Sequence, residues 1–338
     1  MMLKRVVAAC VCFFLIASAL MFRKLGDSGK DSGLYTQAED KTFIKWVDFN
    51  ASYDAMMKAL ELDKKAYADG KQVNWIELLA YAAAKNGGNF PKSAVTDIEK
   101  AAEAFLDGRG EELTQSLKYY AYYLEAYTAV LGGFVGEYYT EVDSDNGIKT
   151  EKRYGLKAFL PIAYNYSFSH YDDFGASRSF GYNRPHKGND LMASVGTPIV
   201  NVETGIIEEM GWNRFGGWRV GVRSLDGKRY YYYAHLRKGH PFNNTLSIGQ
   251  QVQGGEVLGY VGMTGYSSTE DVNGMNVPHL HFGMQLIFDE SQKDSDAEIW
   301  IDVYEIVNLL RKNPALVYKN ESTGEYEKKY KVYDVLPR

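Results

Sequence analysis

Apolar positions recur at helical spacing from Ser52 to about Ala68, where Ala55, Met56, Ala59, Leu60 and Leu62 form one stripe. A second helix is predicted over Trp75 to Lys85, with Asn74 as its N-cap and Gly87-Gly88 as its stop. A third fits Ala94 to Asp107, opened by Ser93 and closed by Gly108. The fourth, Glu111 to about Leu131, is the most regular, because Leu113, Leu117, Tyr120, Leu124, Tyr127 and Leu131 alternate steps of four and three. Gly132 to Gly136 and Asp143 to Gly147 are expected as the exit from this bundle and a connecting loop.

The texture changes near residue 155. Short β-prone runs separated by Gly, Asn and Asp replace the helical period. The clearest hairpin is Val220 to Leu225, then Asp226-Gly227, then Lys228 to Tyr233, since Asp-Gly suits the turn that matches strand twist. Pro198–Val202, Gly205–Glu209, Val257–Val261 and His279–Leu286 are further candidate strands. Beyond residue 290, an amphipathic stretch from Ile301 to Leu310 predicts a short helix packing back, followed by a charged end rich in Tyr and Lys.

The N-terminus reads differently again. Lys4 and Arg5 precede an uncharged run, Val6 to Phe22, of about the minimum length that crosses a bilayer. The favoured reading is an uncleaved signal anchor, single-pass, with the bulk of the chain outside the cytoplasm. The alternative is secretion after cleavage near Ala17-Ser18-Ala19. The expected plan is α+β: a membrane anchor over 1–24, a tether over 25–47 and a helical domain over 48–150. An antiparallel all-β domain over 155–290 and a C-terminal helix and tail over 291–338 complete it.

Composition narrows the chemistry. The chain has 338 residues and a formal net charge of -5, which argues against a nucleic-acid binder. Its only cysteines are Cys10 and Cys12, inside the apolar run, so neither a disulfide framework nor a thiolate metal cluster is available. Any metal site must use histidine and carboxylate. The region 25–150 is acidic and carries no catalytic spacing. Its carboxylates read as a solvated face, with a protein partner or a lid over the downstream site as the functional alternatives.

Four of the six histidines fall in three patches of the β-rich region. The first is His186-Lys187-Gly188-Asn189-Asp190, where a turn at the glycine would let His186 and Asp190 reach one ion. The second is Tyr233-Ala234-His235-Leu236. The third is His279-Leu280-His281, two imidazoles on one face of a strand. His170 lies in an aromatic run that could line a groove, and His240 precedes Pro241 in a loop with a surface role expected. Tyr182 and Arg184 are candidates for contact with substrate or an oxyanion.

In this order and with this glycine framework, the set resembles the lysostaphin/LytM-type zinc metalloendopeptidases, which cut peptide bonds in peptidoglycan. The resemblance covers about residues 160 to 290. It implies Zn2+ held by His186, Asp190 and His281, with His235 and His279 as the catalytic pair that are not ligands. It also implies a peptidoglycan peptide as substrate. The division of proton tasks between the two histidines stays open. One departure stands out: the stretch from Tyr266 to Val277 is longer than the family's usual few small residues, and is expected at the rim of the cleft. The competing reading is a wall-associated scaffold or activator that uses the same domain for binding.

Overall fold

The computed structural model describes residues 43–335. The expected anchor, and the tether before Phe43, lie outside the described residues. Among the described residues, no helix is long and apolar enough to cross a membrane.

Three helices follow the apolar pattern closely: α1 Tyr53–Ala68, α2 Trp75–Lys85 and α3 Ala94–Leu106. Asn74 accepts from the Ile76 N–H at 2.8 Å, satisfying one of the donors that a helix start leaves free. Gly88 then donates to Ala83 O at 2.8 Å from a left-handed backbone, φ 86°, which closes α2. Ser93 precedes α3 but makes no capping bond.

The long fourth helix is instead two, α4 Gly110–Thr114 and α5 Tyr120–Leu131. Thr114 Oγ1 turns back to donate to Gly110 O at 3.0 Å, and Leu117 N donates to Thr114 O in a tighter turn. The apolar stripe survives the break: Tyr127 and Leu131 are fully buried, and Leu113, Leu117, Tyr120 and Leu124 pack on the core. Burial, not helix continuity, is what the spacing encoded.

The expected connecting loop after residue 131 is a hairpin, β1 Val135–Ser144 and β2 Gly147–Leu156. Its residues are mostly half-exposed or exposed, so no alternation of apolar and polar side chains announced it. The charged tail is also partly strand. β15 Val317–Lys319 pairs with β16 Tyr326–Lys328, and β17 Val332–Asp334 adds to β1.

The antiparallel expectation for the β-rich region holds. Its eight-stranded sheet runs β11 (Gln251–Val252), β8 (Gly205–Asn213), β9 (Gly217–Ser224), β10 (Arg229–Ala234), β13 (His279–Leu286), β6 (Asn189–Ala193) and β3 (Phe168–His170), with β14 (Ile299–Ile301) also on β13. Two small two-stranded sheets accompany it: the hairpin β4 Ser177–Phe180 with β5 Tyr182–Pro185, and the long-range pair β7 Pro198–Val200 with β12 Val257–Tyr260. Strand alternation gives the sheet two unlike faces. Val220, Val222, Tyr231, Tyr233, Leu280, Phe282, Met284 and Leu286 are buried in one core cluster, which continues through Leu79, Tyr127 and Leu131 of the helices. The opposite face is left for the site.

One contact ties the N-terminal helices to the sheet, and another ties them to the C-terminal helix. Arg229, buried, pairs with Glu203 at 3.1 Å and donates from Nη1 to Ala129 O at 2.7 Å. The amphipathic stretch after 300 forms helix α6, Tyr304–Leu310, and its Glu305 Oε2 accepts from Tyr53 N at 3.1 Å, capping α1. Ile301, expected in that helix, is the last residue of β14.

Candidate active site

The sheet brings the three histidine patches together. β13 pairs on one side with β10, with Ala234 opposite His281, and on the other with β6, with Asp190 opposite His281. Asp190 therefore lies across from the histidine that the sequence could only place far away in the chain. His186 enters from the turn before β6. That turn needs its glycine: at Gly188, φ 158°, a Cβ would lie 2.5 Å from Phe282 O and 2.9 Å from the His281 ring.

His186, Asp190 and His281 converge so that their ligand atoms lie within 4.8 Å of one another. His186 Nε2 is 2.7 Å from His281 Nδ1 and 3.1 Å from Asp190 Oδ1, and His281 Nδ1 is 3.4 Å from the same oxygen. Tetrahedral zinc with bonds of about 2.0–2.1 Å sets its ligand atoms about 3.3 Å apart, so the spacing suits one ion. Asp190 Oδ1 is buried without a hydrogen-bond partner, as an atom reserved for a cation would be. The donor set, two imidazoles and a carboxylate, is one zinc accepts.

The remaining two histidines stand beside this cluster. His235 and His279 rings are 4.8 Å apart, and His235 lies 6.0 Å from His281. His235 Nδ1 donates to Thr264 O at 2.7 Å, and His279 Nδ1 donates to Val277 O at 2.9 Å. Each bond fixes the tautomer and leaves Nε2 with its lone pair. The His279 Nε2 is buried with no hydrogen-bond partner. His235 also has a positive φ of 63°, an uncommon backbone for a residue with a side chain.

The electrostatics separate the five residues. Burial opposes ionisation of Asp190, but the His186 and His281 rings against it hold its carboxyl far below the usual range. Burial also opposes protonation of His186, yet the Asp173 and Asp190 carboxylates outweigh it and raise its pKa to about 9. A metal held here by His186 would have to displace that proton. Burial, then the neighbouring His279 and His281, push His235 well below the ordinary histidine value, so it is neutral at pH 7.

Two residues that carried no signal in the sequence complete the surroundings. Asp173 O accepts from His186 Nδ1 at 3.1 Å, and Asp173 Oδ1 accepts from Asp190 N at 3.2 Å. Arg178 Nη2 donates to Asp173 Oδ2 at 2.5 Å and to Asp190 Oδ2 at 3.1 Å. Asp173 lies in a loop and Arg178 on the short strand β4, neither of which has a readable period.

The five residues border a cleft of about 500 Å³. Tyr182 and Arg184 line it as expected. The Arg184 guanidinium lies over the rings of Phe215 and Tyr266, 4.5 and 5.2 Å from their centroids. The long stretch from Tyr266 to Val277 does reach the cleft, through Tyr266 and Met275. Asp271 pins it, accepting from Trp218 Nε1 at 2.9 Å and Gly239 N at 2.8 Å. His170 is away from the cleft, stacked on Tyr304 at 4.5 Å. His240 is half-exposed and pairs with Glu325 at 2.9 Å, the surface role expected of it.

With this geometry in place, the chain can be set beside known proteins. Residues 184–295 match the model of Peptidase family M23, and this part of the chain is an M23 domain homologous to lysostaphin. M23 peptidases are zinc metallopeptidases, and the His186–Asp190–His281 cluster fits such an ion. Over 131 residues the chain is 42% identical to the L-Ala--D-Glu endopeptidase of Bacillus subtilis, covering 38% of each protein. It is 36% identical over 98 residues to the lysostaphin of Staphylococcus simulans, covering 29% of this chain and 17% of that one. The Peptidoglycan DD-endopeptidase ShyC of Vibrio cholerae is 29% identical over 186 residues, 54% of this chain and 37% of ShyC. The chain thus spans well under half of each of these relatives. The crystal structure of a candidate glycyl-glycine endopeptidase lytM from Ruminococcus gnavus superposes with a TM-score of 0.51 at 22% identity, over 78% of this chain and 87% of that one. That likeness concerns the fold.

Proposed function

We propose that this protein is a zinc-dependent endopeptidase that hydrolyses peptide bonds in peptidoglycan stem peptides or cross-bridges. One observation carries the reading: two imidazoles and a carboxylate converge beside two further histidines of fixed tautomer, all at the base of one cleft.

His186, Asp190 and His281 would hold the zinc. When bound, it supplies a Lewis acid for the scissile carbonyl and acidifies an attacking water. His235 and His279 each present a free Nε2 beside the cluster. A neutral imidazole there accepts a proton from water, and once protonated it donates to the leaving amine or to the developing oxyanion. Both tasks fit either ring, since both lie within one ring's reach of the cluster. Phe215 and Tyr266 line the cleft with aromatic rings. As a further part of this proposal, the run Val6–Phe22 holds the chain at the membrane with the cleft outside the cytoplasm.

The test is digestion of purified peptidoglycan by the full chain, with release of new amino termini as the readout. Release that stops with a zinc chelator and returns on adding zinc supports the reading. Zinc content then separates the roles: His281→Ala loses the metal, whereas His279→Ala keeps it and is inactive. An intact, zinc-loaded protein that releases no amino termini overturns the enzyme in favour of a wall-binding scaffold.

A further inference from the structure

The open face of β13 does not end at the histidines. Leu280, Phe282, Met284 and Leu286 are buried in the core, so His279, His281, Gly283 and Gln285 share the other face. Gly283 keeps a gap in that row: a Cβ there would lie 2.7 Å from Lys187 O and 2.8 Å from the Trp300 ring. Neighbouring β10 places Tyr232 opposite Gly283 and Tyr230 opposite Gln285. On β9, Gly221 leaves room for the Tyr230 hydroxyl, which would be 2.0 Å from a Cβ at that position. Arg219 of β9 borders the same floor.

Gln285 is 2% exposed, borders the cleft, and its Nε2 has no hydrogen-bond partner. Arg219 Nε is likewise buried and unpartnered, while its Nη1 is engaged by Glu209 at 2.5 Å. Register sets Arg219 level with Ala234 and His281, and Gln285 four residues further along β13, so the two donors do not share one acceptor. A buried donor without an acceptor is costly, and the one on Gln285 marks a place where an acceptor arrives with a ligand. Charge identifies the acceptor. Arg219 is offset by Glu209, and Lys187 by Glu298, so no net positive field selects a carboxylate. A neutral acceptor suits the Gln285 amide.

We infer that Gln285 forms a second subsite, which binds a peptide carbonyl or carboxamide of the substrate away from the scissile bond. The inference rests on the peptidase reading above and adds where the rest of the peptide lies. Four residues of strand separate Gln285 from His281, about 14 Å at about 3.4 Å per residue, so an extended peptide needs about four residues to bridge them.

The experiment uses the full, zinc-loaded chain and synthetic stem peptides of increasing length. In the wild type, kcat/KM rises about tenfold once the peptide is long enough to reach Gln285. Gln285→Met and the nearly isosteric Gln285→Glu each erase that gain, the latter because it puts an acceptor where a donor is needed. A wild type with no length dependence, or variants that keep it, overturns the subsite. Calorimetric binding of the longest peptide to the metal-free chain separates the two readings. Binding that weakens about tenfold in Gln285→Met without any cleavage by the wild type leaves the subsite standing and removes the hydrolase. Neither binding nor cleavage removes both.

Discussion

Arg178 Nη2 donates to one oxygen of Asp190, Oδ2, at 3.1 Å, and the other oxygen, Oδ1, faces His186 Nε2 at 3.1 Å and His281 Nδ1 at 3.4 Å. The arginine occupies one lone-pair side of the carboxylate and leaves the other facing His186 and His281, where the proposed zinc would sit. It thereby sets Asp190 up to bind through one oxygen. Partners of this kind behind a ligand commonly change metal affinity by about 10–100-fold. Arg178→Met is expected to weaken zinc binding by about that factor, measured by competition with a chromogenic chelator. The cobalt-substituted protein should also change its visible spectrum, as the second oxygen becomes free to bind. An unchanged affinity and spectrum would make Arg178 a surface neighbour only.

Asp173 supports His186 from the other side. Its backbone oxygen accepts from His186 Nδ1, and its carboxylate accepts from Asp190 N and from Arg178. Asp173→Ala leaves the backbone bond and removes the carboxylate. The expected result is a loss of zinc affinity comparable to that of Arg178→Met. The double variant should lose less than the product of the two, because the residues act as one unit.

Gly188→Ala tests the turn between the first two ligands. The added methyl meets Phe282 O and the His281 ring, neither of which is the far end of a flexible side chain. Zinc affinity and peptidoglycan digestion are both expected to fall by at least about tenfold, for about 1.4 kcal/mol of misplacement. A thermal melt near that of the wild type would localise the effect to the site.

The pair of Glu203 and Arg229 joins the sheet to the helices through Ala129 O. Glu203→Gln leaves a buried guanidinium with only the half-exposed Asp226 as a counter-charge. The expected loss of stability is about 3–5 kcal/mol, read by denaturant unfolding. Replacing both partners with apolar residues should recover much of it.

His170 predicts an acid-side instability. Burial, reinforced by Arg311, lowers its pKa to about 4. In the unfolded chain the group titrates near 6.5. Between about pH 6.5 and 4 the unfolded state therefore binds more protons, and stability falls as pH falls through that window. His170→Phe keeps the stack on Tyr304 and removes the titration. The stability difference between variant and wild type should grow in favour of the variant from pH 7.5 to pH 4.5, measured by denaturant midpoints. A difference constant with pH would show that folding leaves the His170 pKa unchanged.

The sequence by itself determined the helical stripes, the Asp-Gly hairpin and the antiparallel texture, and its resemblance to a known family picked out the five candidate site residues. The structural part rests on local rules: a period of 3.6 or 2, a capping side chain and a glycine in a turn. It missed the hairpin at 135–156 and the tail strands, because strands exposed on both sides leave no alternation to read. It joined two helices into one, since the spacing records which residues are buried and not whether the backbone between them stays helical. Only the tertiary structure decided that Asp190 lies opposite His281, that Asp173 and Arg178 back His186 and Asp190, and that Gln285 extends the cleft floor. Such relations are made by pairing between strands far apart in the chain. No local pattern encodes that pairing, because it follows from which faces of the whole sheet must be buried together.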